Sequence, residues 1–151
     1  MATAGLVVLT ACTGGGQRSG APLPTPPAVI DVIMREHRFD YNPTVPAGRV
    51  VFRVRNDGRV AHRLTMVPLA DDLPPIDAQL RGLERRPATP YAGVPNQAPG
   101  ASASFAVDLV PGRRYAIVCF AKEPQDDVSH ALMGMNSEFR AGATATAQPQ
   151  P

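Results

Sequence analysis

The segment from Val45 to Gly58 most constrains the fold. Val50, Phe52 and Val54 alternate with Val51, Arg53 and Arg55, so one side is apolar and the other largely charged. A period of two places successive side chains on opposite faces of a strand. Pro46-Ala47-Gly48 before it and Asn56-Asp57-Gly58 after it carry turn chemistry. The chain must set this strand against a core and pair its backbone with other strands.

Other segments repeat the pattern. Ile30, Val32 and Met34 oppose Asp31 and Arg35, and His62, Leu64 and Met66 oppose Arg63 and Thr65. Ala103, Phe105, Val107 and Leu109 oppose Ser102, Ser104 and Asp108. Tyr115, Ile117 and Cys119 share a face after the Pro111-Gly112 turn, and Ser137 and Phe139 oppose Glu138 and Arg140. Gly and Pro make up 30 of the 151 residues, which suits many turns between short strands. One exception is Pro74 to Arg86, where Ile76, Leu80 and Leu83 fall at helical spacing and predict a short helix. Asp71, Asp72 and Asp77 are expected to cap its N-terminus rather than hold a metal. Pro87 to Gly100 carries four prolines and reads as loop. The sum is an all-β Greek-key sandwich or barrel with one short helical insert.

The ends read differently. Thr13 to Pro27 is rich in Gly, Ser, Thr and Pro and reads as a flexible linker. Residues 142–151 have no apolar pattern and read as a disordered tail. The folded domain is expected over residues 28–141. Gly5 to Ala11 is apolar but too short to span a bilayer. Leu9-Thr10-Ala11-Cys12 resembles the bacterial lipobox, although no Lys or Arg precedes the apolar run. The resemblance implies that residues 1–12 are an export signal and that Cys12 becomes lipidated. The mature protein would then be tethered to a membrane on the outer side of the cytoplasm.

Net charge is +2 and no dense basic run occurs, which argues against nucleic acid as a partner. The chain has two cysteines, Cys12 and Cys119. With Cys12 in the signal, Cys119 is expected to be a free thiol that calls for an explanation.

That explanation lies between Cys119 and Met135. The stretch holds the thiol, His130, Met133 and Met135, and His62 lies upstream. Two imidazoles, a thiolate and a weak thioether are the donors of a mononuclear copper electron-transfer site. Strand alternation points His62 inward, where an imidazole stays neutral and can bind a metal or serve as a structural core histidine. His37, between Glu36 and Arg38, is expected to be an exposed strand-end histidine, with a copper-ligand role or a hydrogen bond near the site as the alternative.

From Ala28 to Ala141 the chain resembles the cupredoxin family. Asn56 to His62 is similar to that family's Asn-rich turn before its first histidine ligand. Val110-Pro111-Gly112 followed by Tyr115 and Cys119 is similar to its thiolate strand. His130 and Met135 are similar to its closing histidine and axial methionine. The resemblance implies one copper ion held by His62, Cys119, His130 and Met135, with Met133 as the alternative axial ligand. Ten residues separate Cys119 from His130, a longer loop than the family usually has. The function implied is one-electron transfer to a redox partner protein, with no bond-making catalysis. Two alternatives are a metal-free binding module and a copper storage or delivery protein exchanging the ion with a donor or acceptor.

Overall fold

The structure is a computed structural model and describes residues 1, 26–82, 89–123, 125 and 127–142. The lipobox-like tetrad, the expected linker up to residue 25 and the expected tail from residue 143 lie outside the described residues. Among the described residues, no helix is long and apolar enough to cross a membrane.

Among the described residues eight strands run in chain order: β1 (Ala28–Arg35), β2 (Arg38–Tyr41), β3 (Gly48–Asn56), β4 (His62–Leu69), β5 (Ala92–Gln97), β6 (Ser102–Leu109), β7 (Arg114–Val118) and β8 (Asn136–Arg140). Among the described residues one short helix, α1 (Ile76–Leu80), lies between β4 and β5. The strands form two four-stranded sheets, ordered β2-β1-β3-β6 and β5-β4-β7-β8. β1 runs parallel to β3, with Val32 opposite Val54, and the other pairs are antiparallel.

The alternation read from the sequence is the packing. Val32, Met34, Val50, Phe52 and Val54 from one sheet and Leu64, Met66, Tyr115, Ile117 and Phe139 from the other are buried in one cluster between the sheets. The Tyr115 and Phe139 rings stack at 5.6 Å, and Phe52 stacks on Phe105 at 5.1 Å. The Tyr115 hydroxyl accepts the Val110 N–H at 3.0 Å, so its polar end is satisfied. Arg53 and Arg55 stay outside, where Arg53 forms a two-bonded ion pair with Asp31 across the β1–β3 ladder.

β7 departs from simple alternation because both of its faces are covered. Tyr115 and Ile117 face the sandwich core, while Ala116 and Val118 join Val67, Leu69, Ile76 and Ala131 in a second cluster, with Leu80 packed against it. The helical insert thus covers the outer face of β4 and β7.

Four local expectations are corrected. The helix spans only five residues, and the chain leaves it at Gly82, whose φ of 92° ends helical geometry. The rest of the expected helix, Leu83 to Arg86, lies outside the described residues. Its N-cap residue is Pro75, which makes no side-chain cap bond, while Asp77 lies in the first turn. The Glu138 carboxylate on β8 accepts the Ile76 N–H instead and also pairs with Arg114 at 2.8 Å. Asp71 pairs with Arg140, and Asp77 with Arg81.

Pro87 to Gly100 is not all loop, since it contains β5. That strand sits at a sheet edge, where Pro95 removes a donor that no ladder requires. β2 is a further strand that the sequence pattern did not separate from β1. Between them, His37 is half-buried with φ of 59°, so it is not the exposed strand-end residue expected.

Candidate metal centre

Three side chains, His62, Cys119 and His130, meet at one end of the sandwich, where three strand ends come together. His62 opens β4, Cys119 follows β7 and Met135 immediately precedes β8. β4, β7 and β8 are neighbours in one sheet. His130 arrives from the loop between β7 and β8. His62, Cys119 and Met135 are fully buried, and His130 is 1% exposed.

Main-chain bonds hold that loop against the strand ends. The Cys119 N–H donates to the Met135 carbonyl at 3.0 Å, and the Cys119 carbonyl accepts the Ala131 N–H at 2.8 Å. The His130 N–H donates to Ala121 at 2.8 Å, and the His130 carbonyl accepts the Met135 N–H at 2.9 Å. An isolated bridge between Lys122 and Ser129 closes the neck of the long loop. The ten-residue spacing is thereby reduced to a short structural distance.

His62 is placed by Asn56. This fully buried amide donates to the carbonyls of Val60 and Gln97, both at 2.8 Å, and its oxygen accepts the Gly58 N–H at 2.9 Å. The turn folds tightly over His62. A Cβ on Gly58 would lie 2.7 Å from His62 Nε2 and 2.9 Å from a Glu36 carboxylate oxygen. Glycine is required there by space.

The donor atoms converge. His62 Nδ1 and His130 Nδ1 are 3.0 Å apart, and Cys119 Sγ lies 3.6 Å from His130 Nδ1. One ligand atom from each of His62, Cys119 and His130 falls within 4.8 Å of the others. Metal bonds of about 2.0 Å to imidazole nitrogen and about 2.3 Å to thiolate sulfur can span both separations with one ion. The Arg63 N–H donates to Cys119 Sγ at 3.4 Å, which favours negative charge on sulfur. Burial pushes the Cys119 thiol up from its ordinary value. Burial also lowers both histidines, and the His130 charge lowers His62 further while Glu123 works in the opposite direction on His130. The result is two neutral imidazoles, the form that binds metal.

The residues fit a bound cation. The Nδ1 edges of both rings meet each other, and His130 Nδ1 also meets the Cys119 sulfur. Two neutral imidazoles facing each other through Nδ1 satisfy only one lone pair between them, whereas a cation takes both. The thiol, imidazole and imidazole donors are soft to borderline.

Of the residues expected from the sequence, His62, Cys119 and His130 are brought together, and Met135 is buried beside them in the same main-chain network. Met133 is 39% exposed. Cys12 lies outside the described residues. Sequence reasoning missed Asn56 as a buried hub and missed Glu123, and it placed His37 near the site only as an alternative. The His37 and His130 ring centroids are 5.5 Å apart, and a Glu123 oxygen is 3.4 Å from His130 Nε2. A histidine and a carboxylate among charged neighbours carry no periodic signal.

No protein-family model and no curated protein matches the chain. Solved structures do. Reduced auracyanin from the photosynthetic bacterium Roseiflexus castenholzii is similar over 76% of this chain and 97% of that one, at 19% identity and a TM-score of 0.53. Auracyanin A of Chloroflexus aurantiacus, a "blue" copper protein, is similar over 78% of this chain and 100% of that one, at 19% identity and a TM-score of 0.53. At this identity the likeness establishes the fold. The chain is a cupredoxin-like β-sandwich, and its candidate ligand set is His62, Cys119 and His130.

Proposed function

We propose that the protein is a single-copper electron carrier, held outside the cytoplasm by lipidated Cys12. The observation that carries the reading is the convergence of two neutral imidazole nitrogens and one buried sulfur within 4.8 Å. Bound copper would supply a one-electron Cu(I)/Cu(II) couple, for which this donor set is suited. The similarity to auracyanin A, a "blue" copper protein, points the same way.

The chain's own residues do the rest. Cys119 gives up its proton on binding, and the Arg63 N–H then stabilises the thiolate. His62 and His130 present Nδ1. Met135 would be the thioether donor, favoured over Met133 because Met135 is fully buried and Met133 is 39% exposed. Strand ladders on β4, β7 and β8 keep the ligands in place, so little has to move when an electron arrives. Phe120, Val128, Leu132 and Met133 are exposed apolar residues flanking the ligands in sequence, a surface suited to brief docking of a redox partner. The lipobox-like tetrad supports the anchor, and residues 13–27 would serve as its tether.

The test is a Cu(II) titration of the full chain read by visible absorption. An intense thiolate-to-copper band at one equivalent, absent in Cys119→Ala, supports the reading. No band from folded protein with a reduced thiol overturns it and favours a metal-free binding module. Binding of Cu(I) and its release to an acceptor, again without a band, favours copper delivery.

A further inference from the structure

A second set of donors lies on the far edge of His130. One ligand atom from each of His37, Glu123 and His130 falls within 4.8 Å of the others. Glu123 Oε1 stands 3.4 Å from His130 Nε2, within the span of two metal–ligand bonds of about 2.0–2.2 Å. His130 Nδ1 is turned toward His62 and Cys119, so the two edges of one ring serve different clusters.

Both imidazoles at this edge are unsatisfied. His37 Nε2 and His130 Nε2 are buried without a hydrogen-bond partner, although a carboxylate is within reach of His130. Buried polar atoms of this kind call for a ligand or an ion. His37 also occupies the left-handed region at φ 59°, which few residues other than glycine tolerate and which brings its ring against His130. The long loop gains a purpose as well. Its neck is closed by the Lys122–Ser129 bridge, which holds Glu123 at the ring edge.

We propose that His37, Glu123 and His130 Nε2 form a second cation site, sharing the His130 ring with the first. Two imidazoles and one carboxylate select a first-row divalent ion of the zinc class, with coordination positions left open. The site rests on the reading of His130 as a ligand of the first ion through Nδ1. With both ions bound the ring carries no N–H, so loading the second ion releases the Nε2 proton. The charges of Glu123 and the Cys119 thiolate offset part of the added positive charge. The second ion would then sit on the solvent side of a first-ion ligand and draw electron density from it.

The experiment loads the full chain with one equivalent of Cu(II) and then titrates Co(II), following its visible bands, metal content and proton release. The expected result is one further equivalent, one proton released and a shift of the copper band. Glu123→Gln and His37→Ala should each weaken the second equivalent at least tenfold and leave the first copper band present. Glu123→Gln is nearly isosteric, so it keeps the test open should His37→Ala fail to fold. A single bound ion overturns the proposal, as does a second equivalent that neither variant weakens. In the first case Glu123 is a hydrogen-bonding partner of His130 and nothing more. If the copper band never forms, the electron-carrier reading fails on its own, and Co(II) binding that depends on His37 and Glu123 still decides the second site.

Discussion

The Nδ1 atoms of His62 and His130 stand 3.0 Å apart although the two residues are 68 positions apart in the chain. Neither ring reaches that position alone. His62 is set by the turn around Asn56, and His130 by the bonds that tie the β7–β8 loop to the ends of both strands. The close approach of two neutral imidazoles beside a buried sulfur makes this end of the sandwich chemically distinctive.

Gly58→Ala tests how tightly the turn is built. The added methyl would meet His62 Nε2 at 2.7 Å, so His62 or the turn has to move. We expect copper affinity to fall by at least tenfold and stability to fall by about 1–3 kcal/mol, a typical cost of overpacking. Parallel copper titration and urea unfolding measure the two effects. Unchanged copper binding would show that His62 is not confined by the turn.

Asn56→Ala removes three hydrogen bonds from a fully buried amide and strands the carbonyls of Val60 and Gln97. Each buried group left without a partner costs about 1–3 kcal/mol. Urea midpoints of the copper-free protein should drop markedly. Conservative Asn56→Asp keeps the acceptor for Gly58 but loses both donors, so it should not restore the loss.

Met135 and Met133 are separated by paired substitutions. Met135→Leu should change the reduction potential and the copper band, because the axial thioether tunes both. Met133→Leu should leave them unchanged. Both swaps conserve volume and should cost under about 1.5 kcal/mol in stability. Voltammetry on the two variants decides between the methionines, and an effect confined to Met133→Leu reverses the assignment.

The copper-free protein should show a stability plateau with two falling sides. Burial holds His62 and His130 below the ordinary histidine value of 6.5, so under acid conditions the unfolded chain binds more protons than the folded one. Stability is complete above pH 6.5 and declines as pH falls through the lower folded values. Burial raises Cys119 above the ordinary thiol value of 9.0, so the unfolded chain loses that proton first and stability declines again above pH 9. Urea midpoints across pH 4–10 record both sides. Bound copper should carry the acid side to lower pH, since it binds only the deprotonated ligands.

Strands with one dry face and one wet face were legible from residues alone. β3 announces itself through Val50, Phe52 and Val54 against Arg53 and Arg55, and β6 and β8 follow the same rule. β7 was readable as a strand, but its second dry face depends on a helix that packs there from elsewhere. β5 was hidden by Pro95, which an edge position tolerates and a central one would not. The five-residue length of α1 was also hidden, because the Ile76 N–H finds its acceptor on Glu138 of β8, far away in the chain.

The sequence by itself determined the fold class and the donor types. Alternation is a local property, and the identities of His62, Cys119, His130 and Met135 already limit the chemistry to a soft, imidazole-rich site. Only the tertiary structure decided which donors meet. Cys119 and His130 are joined by a loop whose length permits many separations, and main-chain bonds to Ala121, Ala131 and Met135 select the short one. Tertiary structure alone brought His37 and Glu123 to the outer edge of His130. Proximity between residues far apart in the chain is set by how the sheets stack and how loops are tied, and no local pattern carries that information.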